Sequence, residues 1–158
     1  MRFKHLQRAA ALLAMTPLLF IARPGWAEDI AAMRLSPEEI ELAVDPSRPG
    51  GMAMAIQAGA MDRPGLYSAR IRIPAQLMIQ PHTHPESRLV VVLSGTLHLG
   101  YGERFEPARM KALPPGSFFT EPAGQPHFAQ AGSTDVVVQV SGIGPSGTAY
   151  IQTGQPGD

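Results

Sequence analysis

From position 52 onward the chain alternates between short apolar runs and turn residues. Nine runs rich in β-branched and aromatic side chains occupy positions 52–56, 66–73, 76–80, 88–94, 96–101, 117–121, 126–130, 135–141 and 148–152, with proline and glycine between them. Such spacing predicts an all-β domain, an antiparallel sandwich or barrel. Within 66–73, Arg70 and Arg72 fall on one side and Ile71 and Ile73 on the other, as a half-buried strand requires. The continuous apolar run Val90 to Leu93 reads instead as a strand buried on both faces. Met52 and Met54 alternate with Ala and Ile and read as core.

Before this region the pattern differs. Positions 35–44 (LSPEEIELAV) read as a short helix, with Ser36 as cap, Pro37 in the first turn and Glu39 closing a capping box. Positions 1–27 have the order of a secretory signal: Arg2, Lys4 and Arg8, then an apolar stretch at 9–22, then small residues Gly25 and Ala27 around Trp26. Fourteen residues interrupted by Pro17 are short for a membrane span, which takes about 20. The expected organisation is a signal peptide at 1–27, an N-terminal segment with the short helix at 28–51, a barrel at 52–152 and a tail at 153–158. The protein is expected to be exported, to a periplasm or to the outside.

Cleavage changes the charge. The signal contains four of the 13 basic residues and none of the 13 acidic ones, leaving nine against 13, a net of about −4. No basic cluster remains to bind nucleic acid or a membrane surface. The chain has no cysteine, which excludes disulfides, thiolate metal sites and cysteine nucleophiles. The partner expected is a small-molecule ligand; a homodimer is compatible with the sequence.

The candidate chemistry lies in the histidines. His82 and His84, in Pro81-His82-Thr83-His84-Pro85, are two apart on an extended segment and point to one side. His127 opens a distant strand after Pro122, Gly124 and Pro126. Together they offer three imidazole nitrogens to one divalent ion and leave its other positions open; their nitrogens are expected within about 4 Å of one another.

These residues resemble the two motifs of the cupin superfamily, G-x5-H-x-H-x3,4-E-x6-G and G-x5-P-x-G-x2-H-x3-N. The first is matched at His82, His84 and Gly95, the second at Gly116, Pro122, Gly124 and His127. The resemblance covers 52–152 and is closest to small exported single-domain cupins of uncharacterised function. It implies a double-stranded β-helix, or jelly-roll barrel, with one metal ion: iron, zinc, manganese, nickel or copper. The activity it implies is an oxygenase, isomerase or lyase reaction on a small anionic or enolisable molecule. The alternative is a non-catalytic module that binds a metal or small ligand.

The sequence departs from the motifs at Gln76 and Ala131, neither a ligand position, and at Arg88, which stands where the first motif has its glutamate. A guanidinium cannot coordinate a cation. Glu86, nominally on the side of His84, is a candidate replacement; Glu121 is a weaker one and reads as a surface residue. Without a carboxylate the site would retain its full dipositive charge, and Arg88 could then grip an anionic substrate in a bidentate fork. His98 and Gln139 are further candidates for lining the pocket. Intact-mass measurement of the exported protein is expected to give a chain beginning within a few residues of Glu28; a mature species retaining positions 1–22 would overturn the reading of a cleaved signal.

Overall fold

The computed structural model describes residues 30–152; the signal at 1–27 and the tail at 153–158 lie outside the described residues. Eleven strands are present among them: β1 (Ala43–Val44), β2 (Ala53–Ala58), β3 (Gly65–Ile73), β4 (Met78–Thr83), β5 (Arg88–Ser94), β6 (Leu97–Tyr101), β7 (Lys111–Leu113), β8 (Phe118–Glu121), β9 (His127–Ala131), β10 (Val136–Gly144) and β11 (Ala149–Tyr150). They form two antiparallel sheets. One has the order β1-β2-β3-β10-β5-β8 and the other β11-β4-β9-β6-β7. Each of the nine apolar runs overlaps a strand; β1 and β7, two and three residues long, are too short to show a period.

The core fills the space between the sheets. Tyr67, Ala69, Ile71 and Ile73 point inward from β3, and Val136, Val138 and Val140 from β10. They meet Ile79, Leu97, Leu99 and Ala129 of the second sheet. Period-two alternation therefore decides the inside of the barrel, strand by strand.

Two expectations are corrected. In β5, Val90 and Val92 are buried, whereas Leu89, Val91 and Leu93 are 55%, 36% and 40% exposed. No second layer among the described residues covers β5 on that side, so an unbroken apolar run is buried on one face only. The helix at 35–44 reduces to one 3-10 turn, Pro37–Glu39, where the Glu39 carboxylate accepts the Ser36 N–H at 2.7 Å. Short isolated helices are marginal. Beyond that turn Ile40 and Leu42 are half-buried with period two, and Ala43 and Val44 pair with Met54 and Ala53 of β2.

No helix among the described residues is long and apolar enough to cross a membrane.

One close approach ties the scaffold to the site. Gly142 of β10 lies opposite Tyr67 of β3, and a Cβ there would meet the Tyr67 hydroxyl at 2.7 Å and its ring carbons at 2.9 Å. Tyr67 is fully buried and cannot retreat into solvent. Gly142→Ala is expected to destabilise the protein by about 1–3 kcal/mol through overpacking. Urea unfolding measures this; an unchanged midpoint would show that the tyrosine can yield.

Candidate metal centre

His82 lies on β4 and pairs directly with His127 of β9; His84 follows one residue after β4. The i, i+2 spacing turns His82 and His84 to the same side, and the register brings His127 against them. Ring centroids are 4.2 Å apart for His82–His127 and 5.0 Å for each of the other two pairs. All three are buried, and one potential ligand atom from each lies within 4.8 Å of the others. This is somewhat wider than the expected 4 Å or so.

The ring orientations are set by the backbone. Nδ1 of His82 donates to the Gln80 carbonyl at 2.8 Å, that of His84 to Gly147 at 2.6 Å and that of His127 to Gln125 at 3.0 Å. A carbonyl only accepts, so in each neutral ring the proton sits on Nδ1 and Nε2 presents its lone pair. Metal-ligating histidines are oriented by this kind of outer hydrogen bond. His127 Nε2 is buried and has no hydrogen-bond partner. Burial, reinforced by the neighbouring His127 and His84, pushes the His82 pKa down to about 4, so this ring is neutral at ordinary pH, as a ligand must be. The donor set fits a divalent cation.

Arg88, the first residue of β5, is buried beside the histidines. Its Nε donates to Glu86 Oε1 at 2.7 Å, Nη1 lies 2.9 Å from His84 Nε2, and Nη2 donates to Ser146 Oγ at 2.7 Å and to the Gly147 carbonyl at 3.1 Å. Tyr67 donates to the same Glu86 oxygen at 2.7 Å. Burial would raise the Glu86 pKa, but hydrogen bonds from Ser146, Arg88 and Tyr67 hold it below the ordinary value. Burial likewise pushes the Tyr67 phenol up to about 12, so it stays a donor.

Three expectations change here. Glu86 is not part of the histidine group: Arg88 and Tyr67 both engage its Oε1 while Oε2 is buried without a hydrogen-bond partner, and Pro85 and the turn before β5 break the strand parity. Arg88 does not present a free fork to a ligand, since both its edges are engaged. Glu121 is no surface residue. It ends β8 directly opposite Arg88, with its side chain 13% exposed, and places Oε2 3.2 Å from His84 Nε2 and Oε1 3.5 Å from His127 Nε2. Burial opposes its ionisation; His127 and His84, when protonated at Nε2, would donate to it and hold the carboxyl well below the usual range, whereas neutral rings protonated at Nδ1 offer it no donor. The parity of Phe119 and Glu121 was the signal available; the pairing of β8 with β5 was not visible in the sequence.

His98 and Gln139 are not brought to the site. His98 alternates with the inward Leu97 and Leu99, and lines a shallow outer depression beside Gln76 and Met110. Gln139, between inward Val138 and Val140, donates on the outer face to Gln57, Ser68 and the Ala69 carbonyl.

The polar cluster opens on a cavity of about 550 Å³ inside the barrel. Beyond the cluster its wall is mainly apolar, with Ile71, Val90, Leu99 and Phe119 among its residues; Arg48, Asp62 and Tyr150 also contribute. Tyr150 of β11 pairs with His82 and stands 5.5 Å from it, ring to ring. Nothing in the sequence had marked Arg48 or Tyr150.

Several solved structures share this architecture. An RmlC-like cupin from Shewanella frigidimarina aligns with a TM-score of 0.55 at 18% identity over 72% of this chain and 92% of its own. The polyketide cyclase RemF from Streptomyces resistomycificus gives 0.63 at 16% identity over 79% and 89%. The DMSP lyase DddQ from Ruegeria pomeroyi gives 0.56 at 17% identity over 74% and 64%. No curated protein sequence matches the chain. Residues 69–141 match the family model described as a cupin domain, and with the two-sheet barrel this identifies a cupin domain in the chain.

Proposed function

We propose that this cupin is a metal-dependent enzyme acting on a small anionic or enolisable molecule, in a reaction of oxygenase, isomerase or lyase type. The observation that carries the reading is the convergence of three Nε2 atoms, each with its Nδ1 tied to a backbone carbonyl, at one end of an apolar cavity. A divalent ion held there, whether iron, zinc, manganese, nickel or copper, supplies a Lewis acid with open positions for a ligand oxygen. The chain's own residues orient the imidazoles, line much of the cavity with hydrocarbon and fix the charges around it. Cupins of similar fold are named as a cyclase and a lyase, which supports an enzymatic use of such a barrel. The mainly apolar wall favours a substrate with one polar, oxygen-bearing end and a hydrocarbon body. Export to a periplasm or beyond remains part of this proposal.

In this reading Arg88 serves the site by fixing Glu86 and the Ser146–Gly147 turn. Arg88→Met leaves the Glu86 carboxylate buried without its cation and is expected to cost about 3–5 kcal/mol. Adding Glu86→Leu should recover most of that loss. Urea unfolding of the single and double variants checks it, and a single variant as stable as the parent would refute the role.

Metal binding is tested directly. Apo-protein titrated with Zn²⁺, Ni²⁺ or Mn²⁺ by calorimetry is expected to bind one ion per chain, and His82→Ala to bind at least about 100-fold more weakly. Absence of stoichiometric binding, or equal affinity in His82→Ala, would overturn the metal reading. A loaded protein stabilised by small carboxylates without converting any would favour the non-catalytic binding module.

A further inference from the structure

We propose that Glu121 supplies the anionic ligand of the metal centre, taking over across the β5–β8 pair the function that the motif assigns to position 88. The inference rests on the reading of the three histidines as a metal site and adds a fourth ligand to it.

The register is the first support. Arg88 and Glu121 are directly opposed. Side chains of such a pair leave the sheet on the same side with Cβ atoms about 4.5–5.5 Å apart. A carboxylate at either position can therefore approach the same point in the barrel. The motif's position carries a cation here, and its cross-strand neighbour carries the carboxylate.

Distances give the second support. Ligand atoms about 2.0–2.2 Å from a common ion stand about 2.8–3.6 Å from one another in octahedral or tetrahedral arrangements. Glu121 Oε2 is 3.2 Å from His84 Nε2 and Oε1 is 3.5 Å from His127 Nε2, both inside that range. By contrast its nearest approach to Arg88 is 3.7 Å, against 2.7 Å between Arg88 and Glu86. Glu121 therefore faces the imidazoles more closely than it faces the guanidinium.

The third support is the donor and acceptor count. When neutral with Nδ1 protonated, His84 and His127 turn Nε2 lone pairs toward the carboxylate, which itself has only lone pairs to offer. Acceptor facing acceptor in a buried site is unfavourable unless a cation lies between them. His127 Nε2, buried and without a hydrogen-bond partner, is the atom that such a cation would satisfy. Arg88 Nη1, 2.9 Å from His84 Nε2, can turn to Glu121 when that lone pair is taken up.

Charge closes the argument. A divalent ion beside Arg88 places three positive charges in one buried region. Glu86 offsets the guanidinium, and Glu121 offsets half of the ion, leaving one net positive charge for an anionic ligand. With a neutral residue at 121 the excess would be two, in a site where uncompensated charge is costly.

The test uses Co²⁺ as probe, with calorimetry for affinity and visible absorption for the ligand set. The parent protein is expected to bind one Co²⁺. Glu121→Gln, with folding checked by circular dichroism, should bind it about 10–100-fold more weakly and with an altered spectrum. Affinity within about twofold of the parent and an unchanged spectrum would refute the role of Glu121 while leaving the histidine site standing. Failure of the parent to bind Co²⁺ would instead overturn the metal site itself. Should Glu121→Gln not fold, the crystal structure of the Co²⁺-loaded parent decides: a Glu121 oxygen at about 2.0–2.2 Å from the ion supports the proposal, and one beyond about 3 Å refutes it.

Discussion

Alternation along each strand forces every second side chain into the space between the two sheets, and that space has no water to satisfy a charge. Through most of the barrel the inward positions are therefore Ile, Val, Leu and Ala. At one end the same rule brings in His82, His84, Arg88, Glu121 and His127, with Glu86 joining them from the turn before β5. Such groups can stay there only if they satisfy one another. The chain of contacts from Tyr67 to Glu86, Arg88, Ser146 and Gly147, and from Gly147 to His84, does this for one side of the cluster. The remaining unsatisfied atom of the histidines, Nε2 of His127, marks where the cluster is incomplete. Structural polarity and metal-binding capacity are thus two consequences of one burial constraint.

How much of this was legible depends on sequence distance. The histidine pair is local, and its i, i+2 spacing is enough to fix a shared direction. His127 was legible because Pro122 and Gly124 prescribe the turn before β9, where Gly124 adopts φ 69°. Gln76, the departure from the motif's glycine, stands at φ 61°, so the backbone keeps the left-handed turn although the residue has changed. Glu121 was misplaced for the opposite reason. Its environment comes from the pairing of β8 with β5, and nothing at positions 117–126 announces that partner. Arg88 was expected to grip an anionic ligand; the partners that engage it instead, Ser146 and Gly147, lie some 60 positions away, and local pattern cannot supply them. Glu86 failed at the boundary between strand and turn, where period two stops being a guide.

The N-terminal segment changes status for a related reason. As sequence, 28–51 reads as a short extension with one helix. As structure, it pairs with β2 and brings Ser47 and Arg48 to the cavity wall. Asp45 holds that turn, accepting the Ser47 backbone and hydroxyl and the Arg48 side chain. A residue outside the cupin-domain match thereby contributes a cation to the cavity wall, where it acts to lower the Tyr150 phenol pKa that burial raises.

The arrangement constrains ligand chemistry beyond the metal. Arg88 is already engaged at Nε, Nη1 and Nη2, so it contributes field rather than a docking fork. Any polar group of a ligand must then be met at the open side of the histidine cluster or by Arg48, Asp62 and Tyr150. Between these lies hydrocarbon wall, where a polar substituent would lose its water without gaining a partner. Under the proposed function a hydrocarbon wall would discriminate only modestly, by about 1–3 kcal/mol for a methylene and by a similar amount against an added hydroxyl, and stronger selection would come from polar groups of the site that a wrong ligand leaves unpaired. For the ligand proposed above, discrimination would then fall on whether its oxygens meet the polar groups at the histidine cluster, Arg48, Asp62 and Tyr150, more than on the detailed shape of its carbon skeleton.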